Sequence, residues 1–134
     1  MDTATNRVLL TGATGFIGRW AIPALLRRGY EVHAVGRGAR GEERGASVNH
    51  SPLTTHHSPL NWHSCDLFNP AETAAVIHSV RPTHLLHFAW YTEHRKFWTS
   101  PLNVDWAAAS LHLLRAFADA GGHRAVYAGT CAEY

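Results

Sequence analysis

Residues 11–18, Thr11-Gly12-Ala13-Thr14-Gly15-Phe16-Ile17-Gly18, decide how this chain reads. They follow an apolar run, Val8-Leu9-Leu10, and lead into a stretch with apolar residues at helical spacing: Ile17, Trp20, Ala21, Ala24 and Leu25. Strand, glycine turn and helix, in that order, are the context in which a glycine pattern becomes a phosphate site. Gly12 permits a tight turn after the strand, Gly15 lets backbone N–H groups approach a pyrophosphate, and Gly18 lets the helix pack closely on the strand. The free N–H groups and the positive end of the helix dipole then face the phosphates. The spacing is G-x-x-G-x-x-G, one residue wider at its first step than G-x-G-x-x-G. The plainer alternative is a tight turn with no ligand.

Outward from this stretch, strands and helices alternate. Residues 7–11 read as the first strand and 16–28 as the first helix, with Pro23 in its early turns and Gly29 ending it. A second strand is expected over 31–36 and a weak third over 62–65. Between them, 37–61 carries Gly, Ser, Pro and His without clear periodicity, and holds either a short helix or a mobile segment. Asn69 as N-cap and Pro70 at the first helical position start a helix that runs to about residue 80. The run 84–88 is apolar enough for a buried parallel strand. A strong helix follows over 104–120, with Trp106, Ala109, Leu113 and Phe117 among its apolar positions, and Gly121-Gly122 ends it. Residues 125–128 form a fifth strand. The alternation predicts an α/β, doubly wound parallel sheet with right-handed crossovers. Ligands bind such sheets at the carboxyl ends of the strands, which singles out residues 12–18, Arg37, Asp66, Ala89, Trp90, Gly129 and Thr130.

Composition sets the bounds. A chain of 134 residues, 46% apolar and 16% charged, suits one ordinary globular domain. The net charge is +2 and the basic residues are scattered, which points away from nucleic acid. The N-terminal residues are polar, with no apolar core of a signal peptide, and no apolar run approaches the roughly 18 residues of a membrane span. Cys65 and Cys131 lie far apart with no C-x-x-C and read as thiols, with a disulfide as the alternative. Together these features predict a cytoplasmic protein. The 11 histidines form no recognised ligand spacing, so no metal is expected; His84 and His87 should point to opposite faces of their strand.

The strand ends resemble those of the extended short-chain dehydrogenase/reductase family, the NAD(P)-dependent nucleotide-sugar epimerases and dehydratases. Thr11 to Gly18 is similar to that family's T-G-x-x-G-F-I-G motif, residue for residue. Asp66-Leu67 resembles its Asp-Leu pair, whose carboxylate hydrogen-bonds adenine. His87-Phe88-Ala89 resembles the H-x-A segment beside the cofactor, Asn103-Val104 the start of the long central helix, and Val126 to Thr130 the strand entering the active-site turn. The resemblance implies a Rossmann-like sheet, truncated after about five strands. It also implies cofactor contacts from Gly12, Thr14, Gly15, Phe16, Ile17, Gly18, Arg37, Asp66, Leu67, Phe88, Ala89 and Trp90, and a catalytic hydroxyl on Thr130. For Asp66 the alternative is a cap on the turn at Phe68-Asn69, and for Thr130 a local turn contact. The aromatic-rich loop with Trp90, Tyr91, His94, Phe97 and Trp98 either borders a sugar site or is surface cover.

The chain also departs from the family. Its one lysine, Lys96, has Thr92 four residues before it, so the family's Tyr-x-x-x-Lys acid/base pair does not occur in these residues. We therefore expect 1–134 to be the NAD(P)-binding, N-terminal part of a longer enzyme whose substrate half is absent, inactive by itself and with room for homodimerisation in the parent protein. The parent would transfer hydride at a carbon of a nucleotide-linked sugar; the alternative is a non-catalytic dinucleotide-sensing domain. Val35-Gly36-Arg37 ends the second strand with no carboxylate, and Arg40 follows, which favours NADP over NAD.

Overall fold

The computed structural model describes residues 6–37 and 60–129. Thr130 and the segment 38–59, and with them the expectations placed there, lie outside the described residues. The order is β1 (Arg7–Thr11), α1 (Gly18–Arg27), β2 (Glu31–Gly36), β3 (Leu60–Ser64), α2 (Pro70–Val80), β4 (His84–His87), α3 (Leu102–Asp119) and β5 (Arg124–Tyr127). The strands form one parallel sheet in the order β3-β2-β1-β4-β5. This is the doubly wound, Rossmann-like arrangement that the alternation predicts. From β1 the chain winds outward through β2 to β3, then returns to the far side of β1 as β4. The strand order thus reverses between β1 and β4, where open α/β sheets place their ligand crevice.

Both faces of the sheet are covered, which is why its central strands read as continuous apolar runs. Leu10, Val32 and Ala34 lie under Ile22 of α1. On the opposite face Leu9, Val35 and Leu85 lie under Ile77 of α2 and Leu113 and Phe117 of α3. The alternation of Leu9 and Leu10 between the two clusters is the period-two geometry of a strand.

Local chemistry sets the ends of the elements. Asn69 caps α2 as expected: its Oδ1 accepts from the N–H groups of Ala71 (3.0 Å) and Glu72 (3.4 Å), with Pro70 at the first position. At the end of α1 the Gly29 N–H bonds to the Leu26 carbonyl and the Tyr30 N–H to the Leu25 carbonyl, a Schellman motif that stops the helix at Arg27 rather than at residue 28. The same helix starts at Gly18 instead of residue 16, because Phe16 and Ile17 belong to the glycine turn. Pro23 therefore lies beyond the first turn and leaves the Arg19 carbonyl without its usual helical donor. β3 begins at Leu60, paired with Val32, and releases the chain before Cys65. β4 stops at His87 because the Phe88 and Ala89 amides turn onto the Thr11 side chain. α3 starts two residues earlier than its periodicity suggests, at Leu102, whose N–H the Ser100 hydroxyl accepts. β5 spans 124–127, one residue earlier than read from sequence.

Candidate functional site

A cleft of about 510 Å³ opens at the carboxyl ends of β1, β2, β3 and β4. Its floor is the glycine turn. Gly12 has φ +67°, and a Cβ there would come within 2.7 Å of the Phe88 carbonyl carbon and the Ala89 nitrogen. The backbone leaving β4 thus crosses directly over Gly12. Gly18 is tighter still: a Cβ would lie 2.0 Å from the Gly12 carbonyl oxygen, so the first turn of α1 rests against the turn itself.

Gly15 plays a part that motif spacing does not reveal. Its N–H donates to the Gly12 carbonyl at 3.0 Å, so it closes the turn and is not itself a free donor. The amides of Phe16, Ile17 and Gly18 come next, and among the described residues they have no backbone acceptor. Unpaired N–H groups at a helix start, in line with its dipole, suit an anion. Ile17 occupies the N-cap position without a side-chain cap, and α1 has no acidic residue in its first turn to compete for those amides.

Every described residue singled out for cofactor contact lines this one cleft: Gly12 to Gly18 (apart from Ala13, which is core), Arg37, Asp66, Leu67, Phe88, Ala89 and Trp90. Arg37 is exposed at the end of β2. Asp66 realises its alternative reading while lining the cleft: its Oδ1 accepts from the Phe68 N–H at 3.0 Å, and its own N–H is taken by Glu72 Oε2 at 2.8 Å. Val35, Gly36, Cys65, Phe68, Thr92 and Trp106 also line it and were not anticipated. The strand-end rule would have found Val35 and Gly36. Trp106 gave no separate signal, since helical spacing marks it only as an apolar position of α3. Burial raises the Cys65 thiol above its ordinary pKa, which keeps it protonated.

Beneath the cleft lies a polar network. Thr11 Oγ1 sits 2.7 Å from His87 Nδ1, and His87 Nε2 sits 2.8 Å from Ser110 Oγ. Tyr127 donates its hydroxyl to the Ser110 carbonyl at 2.9 Å, its ring against that of His87. Burial drives the His87 pKa down to about 4 and pushes Tyr127 up to about 12. His84, by contrast, faces Tyr30 on the other side of the sheet, as the alternation requires. Among the described residues no group of three His, Cys, Asp or Glu side chains is placed to hold a metal ion, and no helix is long and apolar enough to cross a membrane.

Comparison with known proteins places this geometry in context. The model of the NAD dependent epimerase/dehydratase family matches residues 8–134. Vestitone reductase of Medicago sativa is 36% identical over 77 residues, which is 58% of this chain and 23% of that protein. The structure of UDP-glucose 4-epimerase from Thermus thermophilus, a complex with NAD, is 27% identical with a TM-score of 0.68, covering 92% of this chain and 37% of that one. UDP-glucose 4-epimerase from Bifidobacterium longum, in complex with NAD+ and UDP, reaches a TM-score of 0.74 at 20% identity, a likeness of fold, over 93% of this chain and 37% of that one.

Proposed function

Because the chain belongs to the NAD dependent epimerase/dehydratase family, we propose that it forms the dinucleotide-binding part of a longer NAD(P)-dependent epimerase, dehydratase or reductase acting on a nucleotide-linked sugar. The observation that carries this reading is the set of unpaired Phe16, Ile17 and Gly18 amides opening into a cleft at the point where strand order reverses. A dinucleotide fits these residues. No side chain fills the glycine turn, the cleft volume lies within the roughly 300–1,000 Å³ of small-molecule sites, and cationic Arg37 and anionic Asp66 flank it.

In this reading the diphosphate lies on the three amides. Arg37 faces the ribose nearer β2, and Asp66 and Leu67 border the base. Phe88, Ala89 and Trp90 form the wall on the β4 side. Bound there, the cofactor supplies hydride exchange, and this chain's residues supply binding, orientation and exclusion of water. Arg37, with no carboxylate beside it in the cleft wall at the end of β2, favours a 2′-phosphate and hence NADP(H) over NAD(H). Thr130 supplies a hydroxyl to the reacting sugar oxygen, and an acid/base pair beyond these residues is needed for turnover. The sugar-nucleotide substrate is supported by the UDP-glucose 4-epimerases among the structural neighbours, of which this chain covers 37%.

Calorimetric titration of the purified chain with NAD+ and NADP+ tests the reading. Binding is expected for both, tighter for NADP+, and Gly15→Asp should abolish it by placing an anion against the phosphates. Absence of binding by the unaltered chain, or unchanged binding by Gly15→Asp, overturns it.

A further inference from the structure

We propose that Trp106, braced by Phe68 and Trp90, is a stacking platform for the purine ring of the ligand. The inference rests on the dinucleotide reading above and extends it to Phe68 and Trp106, which that reading does not use. The rings of Phe68 and Trp106 lie 4.7 Å apart at 59°, and those of Trp106 and Trp90 lie 6.1 Å apart at 30°. All three side chains come from different segments, the turn after β3, the first turns of α3 and the loop after β4, and all three line the cleft.

The row is held in place. Trp90 donates its indole N–H to Asn103 Oδ1 at 3.0 Å, and Asn103 donates in turn to the Phe97 carbonyl at 2.6 Å. Phe68 and Trp90 remain 37% and 43% exposed, so the row is not sealed into the core. A side chain that only filled space between α3 and the sheet would sit with Leu113 and Phe117 in the buried cluster. Trp106 instead is half-buried and lines the cleft, within ring contact of both Phe68 and Trp90.

The two walls of the cleft differ in chemistry. The turn at residues 16–18 presents N–H dipoles suited to phosphate, and Arg37 presents a cation. The wall made by Phe68, Trp106 and Trp90 presents π-faces and edges, suited to a planar heteroaromatic ring. With the diphosphate on the amides and the ribose at the end of β2, the ring beyond that ribose falls on the β3 side, where Phe68 follows Asp66 by two residues. This places the purine, rather than the pyridine ring, on the aromatic row.

Titration of the full chain with ADP-ribose and with nicotinamide mononucleotide, for Trp106→Ala and Trp106→Phe, tests the inference. Base–aromatic stacking of ordinary strength predicts about ten-fold weaker ADP-ribose binding by Trp106→Ala, with Trp106→Phe recovering most of it and nicotinamide mononucleotide unaffected. ADP-ribose should also quench tryptophan emission in the unaltered chain and quench it less in Trp106→Phe, a response that a packing role would not produce. Unchanged ADP-ribose affinity in a folded Trp106→Ala, or equal losses for both ligands, overturns the platform while leaving the dinucleotide reading intact. No ADP-ribose binding by the unaltered chain overturns both.

Discussion

Thr11 Oγ1 and His87 Nδ1, 2.7 Å apart and both buried, fix each other's protons. The Thr11 oxygen also accepts from the Phe88 and Ala89 amides, each at 3.2 Å. With its lone pairs so engaged, the hydroxyl hydrogen points to His87 Nδ1, which therefore accepts. His87 carries its proton on Nε2 and donates it to Ser110 Oγ at 2.8 Å. The network thus ties the end of β1, the end of β4 and the middle of α3 together under the cleft, and holds the Phe88–Ala89 backbone over Gly12.

A neutral, buried His87 makes stability depend on pH. Burial lowers its pKa from the ordinary 6.5 to about 4, so between those values the unfolded chain binds a proton that the folded chain refuses. The contribution is complete above pH 6.5 and is lost as pH falls toward 4. A shift of this size corresponds to a loss on the order of 3 kcal/mol. Urea unfolding from pH 7.5 to pH 4 should show that decline. His87→Gln, uncharged throughout, should make it shallower, leaving the part due to His63 and His84, whose pKa values burial also lowers. An equally steep decline in the variant would show that His87 is not responsible.

Thr11→Val keeps the shape and removes the oxygen. It strands the buried His87 Nδ1 acceptor and leaves the half-buried Ala89 N–H facing the cleft, while Phe88 retains a 3.3 Å bond to the Thr11 carbonyl. An unsatisfied buried group of this kind costs about 1–3 kcal/mol, and we expect a loss of that size in denaturant melts. Thr11→Ser retains the hydroxyl and should stay within about 1 kcal/mol of the parent, since it loses one methyl. Equal effects from the two variants would mean that packing of the methyl group, not the hydroxyl, matters.

Asn69 offers a local test. Its side chain satisfies two of the orphan amides at the start of α2, and its Nδ2 donates to Glu72 Oε1 at 3.0 Å. Asn69→Ala should cost about 1 kcal/mol, and Asn69→Ser should recover much of it because its hydroxyl also accepts from the first helical amides. Thermal melts of the three proteins measure this directly.

Much of this site was legible because its chemistry is local. The glycine turn, the Asn69-Pro70 start and the glycines ending α1 and α3 each act within a few residues, so spacing alone exposes them. The strand ends converge because the alternation of elements dictates a parallel sheet. Three things were not legible. Trp106 obeys helical periodicity like any core residue, and only the crossing of α3 behind β4 brings it to the cleft. The partnership of Thr11 with His87 and Ser110 spans 76 and 23 residues, a separation that no local pattern encodes. Nor does motif spacing reveal which amide the turn itself consumes, here that of Gly15.

Gly18 and Gly29 give the sharpest contrast between two glycines. At Gly18 an added methyl would meet the Gly12 carbonyl oxygen at 2.0 Å and the Ala13 Cα at 2.8 Å, both backbone. No side chain rotates away to relieve this, so α1 must lift off the turn, carrying the Phe16 and Ile17 amides with it. At Gly29 a Cβ meets nothing within 4 Å, and the only penalty is its φ of +78°, about 1–2 kcal/mol for a left-handed residue. Gly29→Ala should therefore lower stability modestly and leave NADP+ affinity unchanged. Gly18→Ala should cost more stability than Gly29→Ala, and whatever remains folded should have lost NADP+ binding. Paired denaturant melts and calorimetric titrations separate the two, and a Gly18→Ala protein that binds NADP+ as tightly as the parent would remove the close approach of helix and turn from the account of the site.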